Sequence, residues 1–131
     1  VAVLKSLLRS FGTRPSVRSA DLGAATNPLL AFAEHGLDGR VMNKWVHYFD
    51  IYHRHLSRFR TGPATLIEIG IYNGGSLRMW RNYLGPYARV VGVDVNPACA
   101  DLAEPGIEVV IGDQGDRGAA RSCRRRRSAR D

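Results

Sequence analysis

LIEIGIYNGGS (66–76) decides the fold of this chain. An apolar run rich in branched side chains, ATLIEIGI (64–71), reads as a buried strand. Gly74 and Gly75 make a tight turn, and SLRMWRNYL (76–84) follows with Leu77, Trp80 and Leu84 at helical spacing until Gly85-Pro86 stops it. Downstream, ARVVGVDV (88–95) repeats the strand pattern and ends on an acid. Asn96-Pro97 opens a short helical stretch to about Ala103, Pro105-Gly106 turns, and IEVVIG (107–112) is a third strand. Strands alternating with helices predict parallel βαβ units, an α/β fold with the first three strands of a doubly wound sheet.

Upstream of this unit the pattern is helical and irregular. Residues 1–11 predict a short amphipathic helix with Leu4, Leu7, Leu8 and Phe11 on one face, and residues 12–42 an irregular leader with a short helix near Pro28 to Glu34. From Asn43 to Arg60, Trp45, Phe49, Tyr52, Leu56 and Phe59 recur at alternating spacings of four and three, which is one continuous helix face. The expected organisation is a helical N-terminal segment (1–60), a sheet domain (61–116) and a basic tail (117–131).

The formal net charge of +7 is unevenly placed. Seven of the nineteen Lys and Arg residues but only one of the twelve acids fall within 117–131, so the first 116 residues are nearly neutral. The charge therefore gives the fold no nucleic-acid footprint, and the run Arg124 to Arg127 lacks the aromatic or glycine pattern of a readout module. Cys99 and Cys123 lack zinc or disulfide-framework spacing, which favours a reducing cytoplasm. The N-terminal VAVLKSLLRSFG, interrupted by Lys5 and Arg9, is too short to span a membrane.

The candidate site gathers at the carboxyl ends of the strands, where open α/β sheets bind ligands. Gly70 and Gly74 let backbone approach a ligand, and the helix opening at Ser76 offers unpaired amides and a positive dipole end. The spacing Gly70-xxx-Gly74-Gly75 departs from the GxGxxG of dinucleotide enzymes, which weakens a nicotinamide oxidoreductase alternative. Glu68 lies inside an apolar run, where an acid is costly without a cationic partner; a cofactor ammonium would provide one. Asp94 ends the second strand where an acid can accept from both ribose hydroxyls of a nucleoside, the alternative being a cap for the helix at Asn96-Pro97. Asp113, with Gln114, follows the third strand at the same edge and suits an adenine amine, or is an ordinary turn acid.

Together these residues resemble the class I S-adenosylmethionine-dependent methyltransferases, with their Rossmann-like sheet, acid-x-Gly-xxx-Gly loop, acid closing strand two and Asp after strand three. Over about residues 44–116 the resemblance narrows. KWVHYFDIYHRHLSRFR, EIGIYNGGSLRMWRNYLG, VVGVDVNPAC and IGDQGD are similar, in the same order, to the macrocin and demethylmacrocin group of macrolide sugar O-methyltransferases. The resemblance implies a cofactor pocket at Glu68, Gly70, Gly74 and Ser76, with Asp94 on the ribose and Asp113 and Gln114 by the adenine. It implies methyl transfer from S-adenosylmethionine to a sugar hydroxyl of a small-molecule acceptor, with no nucleic acid or membrane partner, and homo-oligomers in the full-length family. It also implies a magnesium ion and a catalytic base from loops after later strands, beyond this chain. An inactive nucleoside-binding fragment is the other alternative.

His47, His53 and His55 lack the i,i+4 pair that would place two metal ligands on one helix face, so surface or edge histidines are expected. The aromatic stripe predicts core packing, with Tyr48 and Tyr52 as weak contact candidates. After Asp116, where the resemblance predicts a further helix and strand, RGAARSCRRRRSARD has no apolar periodicity. It reads as a shifted reading frame or other truncation scar, which makes the chain too short for a complete active site. Translating the source DNA in its other two frames should restore an apolar helix and strand pattern after codon 116; continued Arg and Ser richness in both frames would refute the shift.

Overall fold

A computed structural model describes residues 27–37 and 39–116, together with the backbone of residues 2–5. The basic tail and the remainder of the leader lie outside the described residues. Strand β1 (Ala2–Lys5) precedes helix α1 (Pro28–His35) and helix α2 (Val46–Leu56), which runs on into a 3-10 turn at Ser57–Phe59. Strand β2 (Thr65–Ile69), helix α3 (Gly75–Leu84) and strand β3 (Arg89–Asp94) form the first βαβ unit. A 3-10 helix over Pro97–Leu102 then leads to β4 (Ile107–Ile111).

The three expected strands are neighbours in one parallel sheet of order β1-β2-β3-β4, so the α/β, Rossmann-like reading holds. The first strand is a correction. Residues 1–11 were expected to be helical, yet Ala2–Lys5 pairs in parallel with β2, with Val3 opposite Ile67 and Leu4 opposite Glu68. The periodicity of Leu4, Leu7, Leu8 and Phe11 is local. The open edge of β2 presents a row of unpaired backbone groups, and pairing satisfies them as a helix cannot. The flank of β2 that three strands alone would leave bare is thereby covered, and β4 stands at the edge among the described strands.

One face of the sheet carries Leu66 and Glu68 from β2, Val90 and Gly92 from β3, and Ile107 and Val109 from β4. Helix α3 lies on it with Leu77, Met79, Trp80, Tyr83 and Leu84 all buried, Trp80 completely. The aromatic stripe of α2 then covers α3. Tyr52 meets Trp80 edge-on with centroids 5.1 Å apart, and Phe49 and Leu56 are buried beside it, as core packing predicts. Leu29 of α1 joins the same cluster, so the N-terminal helices and the sheet share one core. On the opposite face Val91 and Val93 are buried as well.

Gly92 is where α3 and the loop before it come closest to the sheet. A Cβ there would stand 2.9 Å from both Ile71 Cγ2 and Leu77 Cδ1, side chains that are themselves buried and have nowhere to retreat. Overpacking of this kind costs about 1–3 kcal/mol. Gly92→Ala should therefore lower the urea midpoint by a corresponding amount, and an unchanged midpoint would show that the contact relaxes freely.

Candidate functional site

The site begins where β2 runs out. Gly70 and Gly74 take positive φ of 79° and 75°, the left-handed region that glycine enters without strain, and Tyr72 between them is held at φ 48°. The loop is closed by Gly74 N–H donating to the Ile71 carbonyl at 2.8 Å and joined to β3 by Gly70 N–H donating to the Val93 carbonyl at 2.8 Å. Nothing lies within 4 Å of where a Gly70 side chain would project, so the loop faces open space there.

Asp94, the last residue of β3, is the acid that organises this loop. Its Oδ2 accepts from Ile71 N–H at 2.9 Å and more weakly from Tyr72 N–H at 3.4 Å, while Oδ1 accepts from Asn96 N–H at 2.9 Å. Burial alone would push the carboxyl up, but the amides of Asn96, Ile71, Tyr72 and Val95 together hold it below its ordinary value. The helix cap at Pro97 is supplied by Asn96, whose side chain accepts from Ala98 N–H at 3.1 Å. Asp94 is thus a loop clamp rather than a helix cap, and it keeps less accepting capacity for a diol than a free carboxylate would. Beneath it the buried Cys99 thiol donates to the Tyr72 carbonyl at 3.5 Å, and burial with the Asp94 charge raises its pKa.

Glu68 is completely buried and fully engaged. Lys44 Nζ lies 2.9 Å from Oε1, and Ser76 Oγ donates to Oε2 at 2.8 Å. Lys44 belongs to an irregular segment, residues 40–44, that crosses the glycine loop before α2 begins. The segment is fastened at three points: Val41 N–H donates to Asn73 Oδ1 at 2.8 Å, Arg40 reaches Glu104 at 3.3 Å, and Lys44 reaches Glu68. Glu104 in turn accepts Arg78 through both of its oxygens, and the hydrogen bond with Arg78, outweighing burial, holds its pKa low. Gly75 is where the segment passes closest to the loop, since a Cβ there would meet the Val41 carbonyl oxygen at 2.5 Å. A small cavity remains between residues 41–44 on one side and Gly70, Ile71, Tyr72 and Ser76 on the other.

The structure therefore brings Glu68, Gly70, Gly74, Ser76 and Asp94 together around one loop. Asp113 and Gln114 are exposed at the end of β4. Asp113 Oδ1 accepts from Gly115 N–H at 2.7 Å in an ordinary turn, and Gly112 N–H donates to the Asp94 carbonyl at 2.9 Å, which sets this turn beside the Asp94 strand end. Tyr52 is in the core; its pKa is raised to about 12 by burial first, then by the Glu68 charge and Tyr48. His47 and His55 are exposed, while His53 Nδ1 is 2.8 Å from the Tyr83 hydroxyl. Among the described residues no group of three or more His, Cys, Asp or Glu side chains is placed to hold a metal ion, and no helix is long and apolar enough to cross a membrane.

Proteins similar to this chain include O-methyltransferases of Streptomyces and Micromonospora. The chain is 37% identical over 122 residues to 8-demethyl-8-(2-methoxy-alpha-L-rhamnosyl)-tetracenomycin-C 3'-O-methyltransferase of Streptomyces olivaceus, an alignment covering 88% of this chain and 28% of that protein. It is 34% identical over 85 residues to demethylmacrocin O-methyltransferase of Streptomyces fradiae, covering 57% of this chain and 21% of that protein. With mycinamicin VI 2''-O-methyltransferase of Micromonospora griseorubida it shares 31% identity over 80 residues, 55% of this chain and 20% of that protein. The chain is a relative of sugar O-methyltransferases of natural-product pathways. It spans between a fifth and somewhat more than a quarter of their length. No family profile matches it, and no solved structure does.

Within this methyltransferase relative, sequence reasoning missed Lys44, Asn73 and Arg40, all of which act across the chain. A faint signal existed for Lys44. The chain has only two lysines, Lys5 and Lys44, against many arginines, and a buried glutamate requires a cation from somewhere. For Asp94 the pH dependence has a definite sign. Folding favours the charged carboxylate, so its stabilising contribution is present above the ordinary carboxylate value of roughly 4 and is lost as pH falls through the lowered folded value. Asp94→Asn should be less stable than the parent at neutral pH and lose stability less steeply on acidification below about pH 5. A variant with the parent's acid profile would show that the clamp does not depend on the charge.

Proposed function

We propose that this chain supplies the donor-binding part of an S-adenosylmethionine-dependent O-methyltransferase that acts on a sugar hydroxyl of a macrolide-type natural product. The observation that carries it is the meeting of the glycine loop after β2 with the carboxylate that closes β3, Ile71 N–H to Asp94 Oδ2 at 2.9 Å, beside open space above Gly70. In this reading Asp94 receives the ribose through the remaining acceptor capacity of Oδ1, and Asp113 and Gln114 lie by the adenine. Gly70, Gly74, Ser76 and Glu68 frame the amino-acid end of the donor. The names of the relatives supply the reaction, O-methylation, and the class of acceptor.

The residues present suit such a donor. A nucleoside needs close backbone approach, which the positive-φ glycines give, and a carboxylate at the strand end, which Asp94 gives. When bound, the donor supplies an electrophilic methyl group; the described residues bind and orient it, and proximity is the contribution assigned to them. The described residues do not fit a magnesium site. A cytoplasmic location and homo-oligomeric assembly of the whole protein belong to the same proposal, in keeping with the free, buried Cys99 thiol.

Calorimetric titration of the folded chain with S-adenosylhomocysteine and with NAD tests this. S-adenosylhomocysteine should bind at least about tenfold more tightly, a difference of roughly 1.4 kcal/mol. Equal affinity for the two, or no binding of the former, would overturn the donor assignment.

A further inference from the structure

The cofactor reading assigns Glu68 a ligand ammonium, yet in the folded chain each of its oxygens already has a partner and the group is buried behind them. Lys44 Nζ holds Oε1 at 2.9 Å and Ser76 Oγ holds Oε2 at 2.8 Å. The Glu68 side chain is 1% exposed and that of Lys44 4%. Lys44 and Ser76 form part of the cavity wall, with the carboxylate behind them. Of the described side chains lining this cavity, Lys44 alone carries a formal charge.

We infer that Lys44 is the receptor for the carboxylate of the donor's amino-acid end, and that Glu68 is the positioning residue that holds it. This rests on the donor reading above and deepens it. An ammonium has three N–H donors and no acceptor, so one bond to Glu68 leaves others for a ligand. Glu68 fixes the ammonium from behind, and the Tyr52 ring, 5.8 Å from Nζ, lies beside it. Both restrain a side chain that is otherwise flexible, so little rotamer freedom is left to lose on binding. Ser76 sits in the first turn of α3, whose positive dipole end adds to the attraction for an anion. The cavity wall therefore offers the N–H donors of Lys44 that Glu68 does not use, the complement of a carboxylate. An incoming ammonium would meet Lys44 as a like charge.

The test uses three ligands on the whole chain: S-adenosylhomocysteine, its decarboxylated analogue S-adenosyl-3-thiopropylamine, and methylthioadenosine, which lacks the amino-acid end. Binding to the parent and to Lys44→Met is measured by calorimetry, with circular dichroism confirming the fold. The parent should prefer S-adenosylhomocysteine over the decarboxylated analogue by roughly ten- to a hundredfold, the range for a charge-assisted hydrogen bond. Lys44→Met should lose that preference, leave methylthioadenosine unchanged and bind the cationic analogue as well as the parent or better. Should removing one partner of a buried pair prevent folding, Lys44→Met with Glu68→Gln leaves no charge buried alone and takes the same readout. Equal weakening of all three ligands would assign Lys44 a purely structural role and overturn the inference. Tighter binding of S-adenosylhomocysteine by the variant would overturn it too, since Lys44 would then be a stand-in that the donor ammonium displaces. If methylthioadenosine binds the parent while the carboxylate adds nothing, only this inference falls. If neither it nor S-adenosylhomocysteine binds, the donor reading falls with it.

Discussion

A carboxylate with no access to water is the constraint around which this structure is arranged. Glu68 points from β2 toward α3 on a sheet face where its neighbours are Leu66, Val90, Gly92, Ile107 and Val109, and an unpaired charge in that position would cost several kcal/mol. Three pieces of chain answer it. Strand β2 carries the acid, α3 brings Ser76, and the segment before α2 brings Lys44 from 24 residues upstream. Such a pair adds little net stability over a well-packed apolar substitute, but removing one partner typically costs about 3–5 kcal/mol. Its effect is therefore on specificity of arrangement. Residues 41–44 have one acceptable position, and that position forms one wall of the cavity.

The second carboxylate works in the opposite manner. Asp94 is only partly buried and has no cationic partner among its described bonds; backbone amides from two loops converge on it instead. It couples the end of β3 to the glycine turn after β2, so the two strand ends at the proposed donor-binding edge are tied by the side chain proposed for the ribose. Fold and site are consequently not separable here. Losing Asp94 would loosen the loop that shapes the cavity and, on the proposed reading, also remove a ligand contact, so affinity and stability must be measured together for any variant at this position.

The relatives give the arrangement a direction. They are O-methyltransferases of tetracenomycin and macrolide metabolism, and the first of them aligns with 88% of this chain, a share large enough to take in the aromatic helix, the glycine loop and the strand-end acids. The N-terminal segment is part of this unit rather than an appendage. It contributes a strand beside β2, two helices over α3, and the one charged side chain among the described residues lining the cavity.

Local pattern was enough for the three strands, the helices and the turn between Gly70 and Gly74. Strand and helix periodicity, capping by Asn96 and interruption by Gly and Pro all act over a few residues and can be read in order along the chain. The acids at the strand ends were legible for the same reason, because topology alone carries them to one edge of a parallel sheet. The strand at Ala2–Lys5 was not legible, since its apolar spacing suits a helix and only the open edge of β2 makes pairing the better outcome. The partner of Glu68 was hidden as well. Sequence establishes that a buried acid needs a cation. Which cation it receives was decided by packing, because α2, seated on Trp80 and Tyr83, holds the residues preceding it where Lys44 meets a carboxylate far away in the chain.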